Sequence, residues 1–324
     1  MIDWSQLLLV GLFLLGVAMV YYLALRWIVV KIRRGQPKTF ADRILHRLGP
    51  WTTVLALFGL ACMAYGRFIE PYGLTVTTYR IETEKIPAGE TVRIVQLADL
   101  HVREDGPRER ALPALVTSLK PDIIVHTGDL FGKKACAESV LVRLMKAWDC
   151  PQYSCSGNLD YLGDYSQVMR ESGVHDLNRA KAIVTVRTAR ICIDGFGVDS
   201  FWAMPSDLGK LPDETYNVVL FHRPSGFPLT WGSKADLMLS GHTHGGQIRL
   251  PFFGALVTME LTGKRWEYGL YEEEGKKLIV SRGIGCEPYT FELRFLCPPE
   301  VVVVDLVGVD STPTQSAVNL PATS

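Results

Sequence analysis

The sequence predicts an α/β fold of two packed β-sheets flanked by helices, an α/β/β/α sandwich preceded by one or two transmembrane helices. Three observations support this prediction. Strand-forming runs alternate with helical patterns between residues 92 and 158, and the chain from Ala182 to Val307 is richer in strands and poorer in helix. The first part of the chain contains long apolar stretches instead.

Five strand-forming runs each end beside a polar residue that can bind a metal. The runs are Val92–Ala98, Asp122–Thr127, Gln152–Ser156, Tyr216–Phe221 and Asp236–Ser240. The polar residues that follow them are Asp99, His101, Asp129, Asn158, His222, His242 and His244. Because ligands bind at the carboxyl ends of strands in open α/β sheets, we expect these side chains to lie together. Glycines beside them, such as Gly128 and Gly241, let the backbone approach a metal or phosphate closely.

Helical patterns separate the early strands. Pro107 suits a first helical turn, and Lys120-Pro121 ends the segment. Apolar residues at helical spacing follow Pro107, namely Leu112, Leu115, Val116 and Leu119. A second apolar stripe comprises Val140, Leu141, Leu144, Met145 and Trp148. Further strands are predicted at 182–186, 190–193, 278–281 and 301–306.

The types of polar residue at the strand ends indicate which metal ions could bind there. Two aspartates, one asparagine and four histidines offer only oxygen and imidazole ligands, which suit divalent Mn, Fe, Co or Zn. Seven such groups exceed the needs of one tetrahedral ion. They fit two ions that share a carboxylate.

The ordered motifs Asp99-Leu-His101, Gly128-Asp129, Gly157-Asn158, His222 and Gly241-His-Thr-His244 resemble the signature of the calcineurin-like metallophosphoesterase superfamily. Three further stretches resemble its bacterial membrane-associated branch: Gly241–Pro251, Ser281–Gly285 and Cys297–Glu300. The resemblance extends over roughly residues 70–307.

This resemblance implies a ligand set. One metal would be held by Asp99, His101, Asp129 and His244. The other would be held by Asp129, Asn158, His222 and His242, so Asp129 bridges the two ions, and Asp129, Asn158 and His242 belong to the catalytic machinery. Two ions about 3.5–4 Å apart lower the pKa of a bridging water to near neutrality, and the resulting hydroxide would attack phosphorus in line.

Two residues depart from the family pattern. Leu159 stands where the family usually has His after Gly-Asn, and Gly132 stands where many members have Asp. In those members the Asp orients the His, which helps to protonate the leaving oxygen. Three interpretations follow: a substrate with a good leaving group such as pyrophosphate, weakened or lost activity, or a substitute acid. The candidate substitute acids are Asp160, Tyr161 and His175.

The N-terminal part predicts a membrane anchor. Leu7–Val30 is long enough to span a bilayer, and Trp51–Tyr65 with its flanking Pro50 and Gly66 reaches the short end of that range. The basic residues between them are Lys31, Arg33, Arg34, Lys38, Arg43 and Arg47. The positive-inside rule therefore places this loop in the cytoplasm and the catalytic domain on the exoplasmic side of the inner membrane. The alternative is a cleaved signal followed by a buried helix.

The predicted organisation is a membrane anchor over residues 1–70 with spans at about 7–30 and 50–66, a metallophosphoesterase domain over 71–307 and a disordered tail over 308–324. The 34 basic and 34 acidic residues balance, so we expect no nucleic-acid partner. Six of the seven cysteines lie in the catalytic region. They can pair if the domain is exported, with Cys150 and Cys155 nearest in sequence, and a reduced, buried set is equally compatible.

Two classes of function follow. The first is a dinuclear hydrolase at the membrane that cleaves phosphodiester or pyrophosphate bonds, in an exported, envelope or lipid-linked substrate. Within this class, an alternative is a UDP-2,3-diacylglucosamine-type pyrophosphatase of lipid A biosynthesis, which requires a cytoplasmic active site. The second class is a membrane scaffold that binds metal with little turnover, motivated by Leu159 and Gly132.

Overall fold

A computed structural model describes residues 4–33, 39–133, 137–287 and 292–310 of the chain. The helices are α1 (Trp4–Ile32), α2 (Phe40–Phe68), α3 (Pro107–Ser118), α4 (Ala137–Met145), α5 (Tyr165–Ser172) and α6 (Met204–Leu208). The first seven strands are β1 (Thr75–Thr83), β2 (Thr91–Leu97), β3 (Ile123–Thr127), β4 (Gln152–Cys155), β5 (His175–Asp176), β6 (Ala180–Val186) and β7 (Ala189–Phe196). The remaining strands are β8 (Tyr216–Phe221), β9 (Leu237–Ser240), β10 (Arg249–Leu250), β11 (Gly254–Ala255), β12 (Gly269–Glu273), β13 (Lys276–Val280) and β14 (Glu300–Gly308).

Two six-stranded sheets form the centre of the catalytic domain. The first has the order β1-β14-β2-β3-β4-β5, and β2 to β5 run parallel to one another. The second has the order β12-β13-β9-β8-β7-β6, and β13, β9, β8 and β7 are parallel. The predicted sandwich of two sheets is confirmed.

Three apolar cores explain the layering. The first lies between the sheets and includes Ile94 and Val125 from the first sheet and Val218 and Leu239 from the second. The second core packs α3, α4 and α5 against the outer face of the first sheet. The third covers the outer face of the second sheet with α6 and neighbouring turns. Each fully buried Val, Ile or Leu contributes about 1.5–3 kcal/mol to folding, so these cores hold the strand ends in fixed positions.

The N-terminal region contains two helices that are long and apolar enough to be candidate membrane spans, Leu8–Ile32 and Phe40–Tyr72. The second helix begins ten residues before the predicted span, so Arg43 and Arg47 lie on a helix rather than in a loop. A capping box explains this earlier start. Thr39 Oγ1 accepts the Asp42 N–H at 3.1 Å, and Asp42 Oδ2 accepts the Thr39 N–H at 3.1 Å.

Strand β14 continues to Gly308, and residues 311–324 of the predicted tail lie outside the described residues. In the part of the chain that the structure describes, six cysteines are free thiols, Cys150 and Cys155 among them.

Candidate metal centre

The parallel strands of both sheets bring the predicted ligands to one place. Asp99 and His101 follow β2, Asp129 follows β3, and Asn158 follows β4 in the first sheet. His222 follows β8, and the Gly241–His244 turn follows β9 in the second sheet. Backbone hydrogen bonds tie these turns together, since the Asp99 N–H donates to Gly128 O at 3.0 Å and the Gly241 N–H to His222 O at 3.0 Å.

The backbone of these turns is unusual. Five of the predicted ligands have a positive φ: Asp99 at 50°, His101 at 42°, Asp129 at 54°, His242 at 71° and His244 at 50°. Such left-handed conformations cost a non-glycine residue about 1–2 kcal/mol. The surrounding structure must therefore hold these residues in place, which is common at functional sites.

Two glycines are required because ligands pass directly over them. A Cβ at Gly241 would lie 2.3 Å from Asp99 Oδ2, and one at Gly157 would lie 2.2 Å from Asp129 Oδ1. Both distances are far below contact, so any side chain there would displace a carboxylate of the centre.

The first cluster contains Asp99, His101 and His244, whose ligand atoms all lie within 4.8 Å of one another. The Nε2 atoms of His101 and His244 are 3.1 Å apart, and His244 Nε2 is 3.6 Å from Asp99 Oδ1. All three side chains are buried. His101 Nδ1 lies 3.2 Å from the Phe131 carbonyl oxygen. When Nδ1–H donates to that carbonyl, the lone pair of Nε2 faces into the cluster.

The second cluster contains Asp129, His222 and His242, again within 4.8 Å. His222 Nε2 lies 3.3 Å from Asp129 Oδ2 and 3.1 Å from Asn158 Oδ1. Its Nδ1 lies 2.8 Å from the Thr127 carbonyl oxygen, which fixes the ring orientation.

Asp129 lies between the clusters. Its Oδ2 is 3.8 Å from His101 Nε2 of the first cluster, and its Oδ1 accepts the Leu159 N–H at 2.7 Å. The structure thus brings together all seven residues that the sequence singled out. Their assignment as metal ligands stays a prediction.

Burial and neighbouring charges set the protonation of the centre. Burial raises the pKa of Asp99 to about 7 and lowers that of His101 to about 4. It also lowers the pKa of His242 and His244 well below the usual range. Burial disfavours the charged form of His222 too, but the Asp129 carboxylate outweighs this effect and raises its pKa to about 9. Three of the four imidazoles are therefore neutral near pH 7, the form that binds metals.

The donor set fits two divalent cations. Two buried carboxylates, an amide oxygen and several imidazole nitrogens converge, and the nitrogens of His101 and His244 face each other across 3.1 Å. Placing a cation between such groups satisfies lone pairs that would otherwise face one another in a dry interior. Oxygen and imidazole ligands suit Mn, Fe, Co and Zn.

The three candidate substitute acids lie in different surroundings. Asp160 is buried, and its carboxylate accepts the N–H groups of Asp129 at 3.0 Å, Leu130 at 2.7 Å and Gly157 at 2.6 Å. It holds the two ligand turns together, and burial raises its pKa to about 6. Tyr161 is exposed beside it.

His175 lies away from the ligand turns. It is exposed on β5 and pairs in register with Tyr153 near the start of β4, whereas Asn158 follows the end of that strand. Its ring stacks on Tyr153 with centroids 5.2 Å apart.

The two departures from the family pattern have a structural basis. Leu159 is buried, and its N–H contacts Asp129. At Gly132 an added Cβ would lie 2.4 Å from Arg103 Cγ, 2.7 Å from the His101 carbonyl oxygen and 2.9 Å from that of Val102. The backbone around Gly132 therefore leaves no room for an aspartate.

Sequence reasoning missed two charged residues behind His242. Glu260 is buried, and its Oε2 lies 3.6 Å from His242 Nε2 and 3.6 Å from Arg223 Nε. Among the described residues none of these three atoms has a hydrogen-bond partner. Arg223 directly follows His222 and could have been noticed for that reason, but Glu260 lies in an irregular stretch without a motif.

A third missed residue lies behind His244. Arg294 is fully buried, and its Nη2 lies 3.3 Å from His244 Nδ1. The same guanidinium donates to the carbonyl oxygens of Arg282 at 2.9 Å and Gly283 at 3.1 Å.

Comparison with known proteins agrees with this geometry. Residues 92–246 match a family model described as calcineurin-like phosphoesterase. An uncharacterised metallophosphoesterase of Aquifex aeolicus is 30% identical over 261 residues, covering 74% of this chain and 94% of the relative. The phosphodiesterase YaeI of Escherichia coli is 28% identical, covering 75% and 92%. The UDP-2,3-diacylglucosamine pyrophosphatase LpxG of Chlamydia trachomatis is 26% identical, covering 78% and 95%.

Proposed function

Because the chain belongs to the calcineurin-like phosphoesterase family and is thus a hydrolase of phosphoester bonds, we propose that it cleaves phosphodiester or pyrophosphate bonds in a lipid-linked or envelope substrate. In this proposal α1 and α2 anchor it in the membrane. The observation that carries the proposal is the position of Asp129 between two clusters of ligands, within 3.3 Å of His222 and 3.8 Å of His101.

Each side chain has a role in this proposal. Asp99, His101, Asp129 and His244 would hold one ion, and Asp129, Asn158, His222 and His242 the other. Two bound divalent ions supply an activated water near neutral pH and neutralise charge on the phosphoryl oxygens. Asp129 would set the distance between the two sites. Its Oδ1 accepts the Leu159 N–H, which fixes the orientation of the carboxylate. The backbone carbonyl of Thr127 orients His222, and that of Phe131 orients His101.

The leaving oxygen has no histidine beside it to protonate it, unlike that in family members with a Gly-Asn-His motif. The side chain of Leu159 carries no acidic proton, and the carboxylate of Asp160 accepts three backbone N–H groups. A general acid contributes about 10²–10⁴-fold, mostly for poor leaving groups. The proposal therefore favours substrates whose leaving oxygen is stable as an anion, such as a pyrophosphate.

The names of two relatives support the same classes of bond, since one is a phosphodiesterase and another a pyrophosphatase of a nucleotide-linked lipid precursor. The second candidate function is therefore a UDP-2,3-diacylglucosamine-type pyrophosphatase. It requires the catalytic domain to lie in the cytoplasm.

Turnover of an aryl phosphodiester by the purified full-length protein with added Mn²⁺ tests the proposed activity. We expect hydrolysis that is abolished by a chelator and restored by Mn²⁺. A protein that binds metal and releases no product would instead be a membrane scaffold.

Reporter fusions test the side of the membrane. The exoplasmic orientation predicts that alkaline phosphatase is active when fused after Leu306 and inactive when fused within Gln36–Ala41. The reverse pattern would place the domain in the cytoplasm and favour the pyrophosphatase of a nucleotide-linked lipid.

A further inference from the structure

Five exposed apolar side chains, four on the segment 252–261 and one on a neighbouring stretch of the chain, are here called the apolar loop surface; Phe252, Phe253 and Leu296 line one shallow cavity. Its members are Phe252, Phe253, Met259, Leu261 and Leu296. Phe252 is fully exposed, and Met259 and Leu261 are 58% and 56% exposed. Adjacent exposed apolar side chains, unlike single scattered ones, are typical of interaction sites.

The apolar loop surface adjoins the end of the second candidate span. The Arg294 N–H donates to Gly66 O at 2.9 Å, and the rings of Tyr65 and Phe295 meet edge to face with centroids 6.4 Å apart. Glu70, just beyond α2, accepts the Leu296 N–H at 2.9 Å. The chain around Leu296 is therefore fixed to the last turns of α2.

The start of the first candidate span lies against the same loop. A Cβ at Gly263 would lie 2.9 Å from Gln6 Nε2, and Gln6 is buried although the span itself begins at Leu8. Since α1 and α2 pack as a hairpin, the beginning of one and the end of the other lie at the same end of the pair. Leu261 and Leu296 thus lie at the level where both spans meet the catalytic domain.

The same loop forms a wall of the metal centre. Glu260, between Met259 and Leu261, points inward to within 3.6 Å of His242 Nε2. Thr243 Oγ1 donates to Glu267 O at 2.6 Å, so the end of the loop is fixed to the ligand turn. One face of this loop therefore contacts the centre while its exposed side chains point outward.

We propose that the apolar loop surface docks into the lipid bilayer and admits a lipid phosphoester to the centre from the plane of the membrane. Its continuity with the ends of both spans identifies the bilayer as the occupant. Aromatic and aliphatic side chains at the membrane–water interface bury apolar area among the lipid head groups and the upper acyl chains. The inference rests on the proposed function, because it supplies the route by which a lipid-linked substrate reaches the metals.

Photolabelling of the unmodified full-length protein tests the docking directly. The protein is placed in vesicles of phosphatidylethanolamine and phosphatidylglycerol that contain a phospholipid with a diazirine near its head group. We expect lipid adducts on residues 252–261 and on Leu296, besides those on α1 and α2. Phe201 and Trp202, exposed by 53% and 63% after β7, serve as internal controls and should stay unlabelled.

Adducts confined to α1 and α2, or equal labelling of the apolar loop surface and of Phe201, would overturn the proposal. Cross-links between two copies through Phe252 would overturn it as well, because the surface would then be a dimer interface.

A kinetic comparison tests the consequence for the substrate. In the double variant Phe252→Ser/Phe253→Ser, the rate on a vesicle-borne lipid pyrophosphate divided by the rate on a soluble aryl diester should fall about tenfold, the effect of removing about one buried aromatic side chain. Phe201→Ser should leave this ratio unchanged, and an unchanged ratio in the double variant would contradict the proposal. If the unmodified protein hydrolyses neither substrate, the proposed function is refuted. The photolabelling result would still show whether the apolar loop surface docks into the bilayer.

Discussion

The two halves of the candidate metal centre differ in how they are enclosed. Asp99, His101 and His244 are buried, none more than 4% exposed, whereas Asn158 and His242 of the other half are partly accessible. The first half is sealed by the ligand turns of both sheets, and the second opens toward solvent. The difference indicates that a phosphoryl group approaches from the side of Asn158 and His242.

The halves also differ in what lies behind their ligands. A backbone carbonyl orients one histidine in each half. Behind the other histidine, the Arg294 guanidinium contacts His244 in the first half, whereas the ionisable pair of Glu260 and Arg223 lies behind His242 in the second. The guanidinium is held by backbone carbonyl groups and stays charged, but a buried ion pair depends on the charge of both partners. We therefore expect the two halves to bind their ions with different affinities.

The largest effect should come from removing the residue that the halves share. Asp129→Asn should lose both ions and lower turnover of an aryl diester by about 10³-fold or more, because in the proposed site this shared carboxylate would hold both ions and position their charge. Metal analysis of the purified variant measures the loss. His175→Ala, a matched change on exposed β5, should keep its metal content. A variant that retains one ion at full activity would show that the halves are independent.

A substitution at Leu159 can introduce a general acid next to the more accessible half of the centre, which contains Asn158 and His242. Leu159→His should raise the rate on alkyl diesters relative to aryl diesters by up to about 10²-fold, since general acid catalysis helps poor leaving groups most. Rates of the unmodified protein on a series of diesters should fall steeply as the leaving-group pKa rises. A flat dependence would show that a competent acid is already present, and Tyr161 would then be the first residue to replace.

The charged pair behind His242 distinguishes the halves further. Glu260→Gln should weaken the binding of one ion by about 10–100-fold and leave the other unchanged, as expected when the group behind a ligand is altered. Chelator competition on the full-length protein measures both affinities. Glu274→Gln, in the exposed turn between β12 and β13, is the control. Equal weakening of both ions would mean that Glu260 supports the fold rather than one half.

The smallest effect concerns a carboxylate outside both halves. Burial raises the pKa of Asp194 to about 7, as it does for Asp99. Asp194, however, lies on β7 opposite Lys181 of β6 and outside the two clusters of histidines. Its folded-state pKa exceeds the ordinary value of 3.8, so its contribution to stability is present below pH 4 and is lost as pH rises through 7. Asp194→Asn should therefore be more stable than the unmodified protein by about 1–3 kcal/mol at pH 8 and nearly equal at pH 4. Thermal unfolding at the two pH values measures the difference, and an equal gain at both would contradict it.

The sequence predicted well the strands and the polar side chains at their ends that the structure brings together, because both depend on local patterns; the metal-binding role of these side chains stays a prediction. Val92–Ala98 and Tyr216–Phe221 are β-rich runs that end at a motif, and they became β2 and β8 almost without change. Helix α5 was missed, since Tyr165–Ser172 is short and mostly polar. Helix α2 begins well before the second predicted span, because apolar content defined the span whereas Thr39 and Asp42 cap the helix.

The surroundings of the ligands could not be predicted in the same way. Glu260 meets His242 only because the loop between β11 and β12 folds back on the ligand turn. In the sequence, Gly132 stands where many family members have Asp, and nothing local shows whether an aspartate would fit there. The carbonyl oxygens of His101 and Val102 fill that space, so a Gly132→Asp change would displace the backbone of a ligand turn. Such effects depend on contacts between residues far apart in the chain.

The left-handed backbone at five ligand positions has a consequence for the life of the protein in the cell. At about 1–2 kcal/mol each, these conformations oppose folding by an amount comparable with the whole stability of a typical domain. Ions bound in the proposed site would offset that opposition, since a metal that binds only the folded chain stabilises it. We therefore expect newly made chains to mature only where the ions are available and to be degraded by proteases when supply fails. Scarcity of the metal would then lower the abundance of the protein itself.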